Sequence, residues 1–128
     1  MKTQFDPRHK KREKTVQDLF AFSFQKDQSP ETETGKRVFK SIKKIDQTIC
    51  LSAPEWPLEQ INKIDLAILR LAIWEMTIKK KEPPKVIIDE AIELGKTYGS
   101  EKTPAFINGV LGTVLKNLPQ EKSEAQKI

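Results

Sequence analysis

Residues Ile64 to Met76 read IDLAILRLAIWEM, the most apolar run in the chain. At 100° per residue its polar members Asp65, Arg70 and Glu75 point in three different directions, so no wide polar stripe is left for water. A helix of this kind is buried on all sides, and the rest of the chain is expected to pack around it. At thirteen residues, with Arg70 and Glu75 in its interior, the run falls short of the roughly 20 clean apolar residues of a membrane span.

Outward from this helix, the punctuation is clear on both sides. Upstream, Asn62 with Asp65 three residues later resembles a capping box, placing the helix start near Lys63. Downstream, Lys79 is followed by KKEPP, and Pro83 and Pro84 cannot continue a helix interior. A further helix is expected from about Pro84 to Tyr98, with Val86, Ile87, Ala91, Leu94 and Tyr98 as its core stripe and Gly99 as a C-terminal cap. Thr103 and Pro104 start a last helix with Ile107, Val110, Leu111, Val114 and Leu115 facing inward, closed by Pro119. Gly109 and Gly112 lower helix propensity there, which points to a close backbone approach by a neighbouring helix or a ligand.

Towards the front, Asp6 and Pro7 form a start signal for a helix running to about Gln25, with Val16, Leu19, Phe20 and Phe24 at helical spacing. Arg8 and Arg12 fall close to the same line, so the core-facing stripe turns basic in the first two turns and those turns are expected to overhang the packed body. A polar loop (DQSPETETG, 27–35) follows, with Ser29 and Pro30 placed to cap the next helix. Val38, Ile42, Ile45 and Ile49 then predict one amphipathic helix ending near Ser52, its lysines spread over the outer faces. No period-two strand is evident. The reading is an all-α bundle of five to seven helices in a single domain, residues 1–119, with a disordered tail, residues 120–128.

Composition limits the chemistry. In 128 residues there is one histidine, His9, and one cysteine, Cys50, too few for a metal site or a Cys–His nucleophile pair. Cys50 has no partner for an internal bridge, and MKTQFDPRHKKREK lacks the apolar core of a signal peptide, which together point to the cytoplasm. Gly95-Lys96-Thr97 mimics the end of a phosphate loop, but Glu90 stands where its first glycine belongs. No catalytic constellation, metal or cofactor is expected. Arg70 and Glu75, five apart, cannot pair on one helix face, so each is expected to lock helices together through other partners such as Asp89, Glu90 or backbone groups.

The net charge is +5, and residues 1–14 carry six bases against two acids. Such a local basic end attracts phosphate-rich partners. With Phe20 and the turn GSEKTPAFIN (99–108), it forms the strongest site candidate: cations for phosphate, Phe20 or Phe106 to stack unpaired bases, and amide groups at the last helix start for phosphate or base edges.

The blocks ILRLAIWE, PPKVIIDEAIELGKTYG and FINGVLG, with REKTVQDLFAF from Arg12, stand in the order and spacing of the NusB family of bacterial transcription antitermination factors, which the chain resembles outside residues 26–55. The resemblance implies about seven helices in two subbundles and a non-enzymatic adaptor. Its implied partners are boxA-type RNA, the small ribosomal protein NusE and the transcription elongation complex, in support of rRNA transcription. RNA contacts map onto Arg8, His9, Lys10 and Arg12; lysine in place of arginine keeps charge but loses the bidentate fork. Phe20 stands where tyrosine is frequent, and Lys102, Phe106 and Asn108 match positions near the RNA. Glu59 and Asp65 match acidic positions turned towards the protein partner. Two alternatives stay open at this point: an RNA-binding accessory module of the kind fused to RNA methyltransferases, and a protein-binding helical scaffold or homodimer.

Overall fold

A computed structural model describes residues 6–25 and 27–119; the tail expected for residues 120–128 lies outside them. Six α-helices are present among the described residues, against the expectation of about seven: α1 (Pro7–Phe22), α2 (Glu33–Lys40), α3 (Ile42–Ser52), α4 (Lys63–Trp74), α5 (Pro84–Tyr98) and α6 (Thr103–Lys116). A single 3₁₀ turn, Leu58–Gln60, precedes α4, and a π-helical turn, Glu75–Lys79, extends it. No strand occurs among the described residues.

α4 is the hub of the bundle. Every residue from Asp65 to Trp74 is buried, as are Glu75 and Met76, and the helix touches each of the other five. Leu69 and Ile73 are completely enclosed, together with Val16 and Leu19 of α1, Ile45 and Ile49 of α3, Leu94 of α5 and Ile107 and Leu111 of α6. Each enclosed large aliphatic side chain contributes roughly 1.5–3 kcal/mol of transfer free energy.

Local signals explain most boundaries. Asp6 accepts from the Arg8 amide at 2.9 Å, with Pro7 in the first turn of α1. Asn62 caps α4 by accepting from the Ile64 amide at 2.9 Å, but the reciprocal half of the expected capping box is missing, because the Asp65 carboxylate is bonded to Thr103 instead.

Three expectations need correction. The helix after the first loop is capped by Thr32, which accepts from the Gly35 amide, and not by Ser29 or Pro30. Asp18 of α1 fixes that cap by accepting from the Glu31 and Thr32 amides and the Thr32 hydroxyl at 2.6–3.1 Å. The single helix read through Ile42 is broken at Ser41 (φ −111°, ψ 20°) into α2 and α3; apolar spacing alone does not register such a break. Gly99 is extended (φ −98°), not left-handed, and the reason for glycine is steric: a Cβ there would collide with the Thr103 side chain.

Candidate nucleic-acid interface

The basic front of α1 divides into buried and exposed cations. Arg12 is buried rather than overhanging. Its guanidinium donates from Nε and Nη2 to both carboxylate oxygens of Glu75, at 2.8 and 2.7 Å, and from Nη2 to Glu82 at 2.7 Å. Burial works against this charge, but the hydrogen bonds and charges of Glu75 and Glu82 outweigh it and raise the Arg12 pKa. With Nε and Nη2 held by carboxylates and the side chain 10% exposed, little of the guanidinium is open to a phosphate, so the direct RNA contact expected of Arg12 is at odds with its position. His9 is also drawn inward: Nδ1 lies 3.2 Å from Glu90 and Nε2 3.6 Å from Glu13. Arg8 and Lys10 remain exposed, Arg8 only loosely paired with Asp6 and Glu82 at 3.5 and 3.6 Å.

The other buried charges form similar cross-links. Arg70 pairs bidentately with Asp46 of α3, both bonds 2.9 Å, and Glu75 pairs with Arg12. Asp46 and Arg12 hold these two charges, in place of the Asp89 expected from the sequence. Glu82 and Asp46 carried no sequence signal. Arg12 did, since a base on the core-facing line of a helix requires a buried acid across from it.

Towards the opposite, C-terminal end of α1 lies an aromatic surface. Phe20, 36% exposed, packs edge-to-face on Phe24 with centroids 5.0 Å apart, and the Lys63 ammonium sits 5.8 Å from the Phe24 ring. The Tyr98 hydroxyl donates to Glu13 at 2.9 Å and accepts from Gln17 at 3.4 Å, tying the end of α5 to the same flank of α1. Burial and the Glu13 carboxylate raise the Tyr98 pKa. Thr103 donates to Asp65 at 2.8 Å and accepts from the Ser100 amide at 2.9 Å, fixing the turn that carries the exposed Lys102 to the first turn of α4. Through Lys63 and Asp65, α4 thus holds the aromatic pair of α1 and the Lys102 turn to one end of the bundle.

Other expected residues are placed differently. Phe106 packs edge-to-face on Trp56 at 6.2 Å, a half-exposed aromatic that the sequence reading did not single out as a site. Asn108 is exposed, but two positions along a helix from Phe106 it points away from it. A Cβ at Gly109 or Gly112 would meet nothing within 4 Å, so no neighbouring helix approaches there. Glu59 is exposed on the 3₁₀ turn. Asp65 is only 8% exposed, and burial, partly offset by the Thr103 bond, raises its pKa; it does not present a free carboxylate to a protein partner.

Among the described residues, no cluster of His, Cys, Asp or Glu is arranged to hold a metal ion, and no helix is long and apolar enough to cross a membrane. The NusB family model matches residues 8–116. The chain belongs to the NusB family. It is 51% identical over 81 residues to the transcription antitermination protein NusB of Acetivibrio thermocellus, a match covering 63% of this chain and 56% of that one. With the protein of the same name from Pseudothermotoga lettingae it shares 39% over 92 residues, 71% of this chain and 66% of that one. The chain therefore spans between about half and two thirds of the length of these curated relatives. Among solved structures, T. maritima NusB superposes with a TM-score of 0.81 at 31% identity, covering 97% of this chain and 99% of that one. A chain of a crystal structure of antitermination factors NusB and NusE in complex with dsRNA shares the fold, with a TM-score of 0.73 at 20% identity over 88% of this chain and 100% of that one.

Proposed function

We propose that this NusB-family protein is a non-enzymatic transcription antitermination adaptor that binds boxA-type RNA together with NusE in the cytoplasm and supports processive rRNA transcription. The observation that carries the reading is the exposed Phe20–Phe24 pair, beside Lys63, on a helix whose basic end is anchored by Arg12 to Glu75. Aromatic faces stack unpaired bases while exposed cations hold the backbone, the arrangement that single-stranded RNA requires. Arg8, Lys10 and Lys102 hold phosphates, Phe20 stacks a base, and Phe106 and Asn108 supply flanking contacts from opposite sides of α6. His9 and Arg12 position the front of α1. Glu59, exposed beside a cleft of about 280 Å³ lined by Phe22, Leu58 and Lys63, faces the protein partner.

Family membership over residues 8–116 and relatives named transcription antitermination proteins support the reading. The test is fluorescence anisotropy of labelled boxA RNA titrated with the protein, alone and with NusE. Saturable binding that tightens when NusE is added is expected; no preference over a scrambled RNA, with or without NusE, overturns the reading.

A further inference from the structure

α4 ends in a way that displays charge. After the π-helical turn, Lys80 adopts a left-handed conformation (φ 52°), its amide donating to the Glu75 carbonyl at 2.8 Å. π-turns and left-handed non-glycine residues are uncommon and often mark functional places. Here they set Lys79 and Lys81 across from Arg8 and Lys11 of α1, around a cleft of about 410 Å³. Its carboxylates, Glu75 and Glu82, are the two already engaged by Arg12. Five cations against two acids leave the cleft with an excess of three positive charges. Lys11 and Lys81 make no ion pair among the described residues. By contrast, a cleft of about 380 Å³ at the same end of α1, facing α5, holds Asp6, Glu82, Asp89 and Glu90 against Arg8 and Arg12, and is net acidic. An anion is therefore drawn to the α4 side.

We propose that the Lys11–Lys79–Lys81 cleft holds the sugar-phosphate backbone of the RNA flanking the boxA-type element, irrespective of its sequence; this rests on the reading of the protein as an RNA-binding adaptor. The cleft offers no stacking surface, since Trp74 is 6% exposed and the Lys79 ammonium covers its ring at 5.7 Å. Phosphate contacts without base contacts position a strand and carry no sequence information. Continuity with the aromatic surface argues for RNA over an acidic peptide. Lys10, Lys14 and Lys11, all exposed, follow one another round α1 within an arc of about 100°. Phe20 lies nine residues beyond Lys11, about 13.5 Å of helix rise, and on the opposite side of α1, so a strand leaving Phe20 crosses the Lys14 and Lys10 positions before it reaches the cleft.

The experiment compares the boxA-type element alone with the same element carrying a short oligouridine extension at the 5′ or the 3′ end, using the intact protein and Lys11→Ala/Lys81→Ala. An extension at one end is expected to tighten binding. With three added phosphate contacts the log–log salt slope steepens by about 2, so the gain shrinks about 20-fold between 50 and 200 mM salt. The double variant, both positions being surface residues, is expected to lose that gain while binding the bare element like the unaltered protein. If extended and bare elements bind equally, the cleft proposal falls and the adaptor reading stands. If neither binds, the adaptor reading itself falls. If polyglutamate saturates the cleft while extensions add nothing, the occupant is an acidic protein and the proposal is overturned.

Discussion

Replacing Arg12 with methionine removes the cation from a carboxylate that is 5% exposed and keeps most of the side-chain volume. Glu82, with a side chain 16% exposed, can turn to solvent, but Glu75 cannot. Breaking a buried pair from one side costs about 3–5 kcal/mol, a large share of the roughly 5–15 kcal/mol available to a domain. Tm should fall by roughly 10–20 °C. Replacing both partners, Arg12→Met with Glu75→Leu, removes the charge together with its counter-charge, so the double variant should recover most of the loss. Urea unfolding followed by far-ultraviolet circular dichroism gives the four corners of the cycle, and a coupling of at least about 2 kcal/mol is expected. Additivity within about 0.5 kcal/mol, or a single-variant cost below about 1 kcal/mol, refutes the anchoring role. The repacked double variant also separates positioning from contact. If Arg12 only positions α1, its affinity for RNA stays close to that of the unaltered protein; a tenfold loss at normal stability means that the guanidinium touches RNA.

Asp65→Asn tests the buried carboxylate. A raised folded pKa means that the folded protein binds the proton more tightly than the unfolded chain, so Asp65 costs stability as pH rises from the ordinary carboxylate value of 3.8 through the raised one. The stability of the unaltered protein minus that of the variant should therefore fall between pH 3 and pH 7 in paired denaturation curves, and a flat or rising difference rejects the assignment. Gly99→Ala should destabilise by about 1–3 kcal/mol because its methyl meets Thr103, whereas Gly109→Ala, in open space within a helix, should stabilise by about 0.5–1 kcal/mol; thermal melts of the two check the contrast. Phe20→Ala should weaken RNA binding by about 1–3 kcal/mol with little change in Tm, and Phe20→Tyr should retain it, as read by anisotropy.

What could be read in the sequence follows from how local its cause is. α4 was legible because burial on all sides leaves a helix no polar face, and that is written in thirteen consecutive residues. The start of α1, the start of α5 at the second of the paired prolines and the start of α6 at Thr103 were legible because caps and proline act within one turn. The break at Ser41 was not, since Val38, Ile42, Ile45 and Ile49 keep helical spacing straight through it. The site was legible in residue type but not in role. Arg12 and Glu75 lie 63 positions apart, so the position of Arg12 on the core-facing line signalled a buried partner without naming it, and the reading of an overhanging basic end followed from missing that partner. Asp65 had two possible local uses, a capping box or an exposed acid, and its bond to Thr103, 38 positions on, excludes both.

On the proposed function, Arg8 and Lys10 at the front of α1 and Lys102 beside the first turn of α4 hold the backbone of a single-stranded RNA, while Arg12 is engaged by Glu75 and Glu82. The most direct test is the salt dependence of binding to the bare boxA-type element. Three phosphate contacts predict a log–log slope of about −2. A flat response across salt concentration would contradict the account.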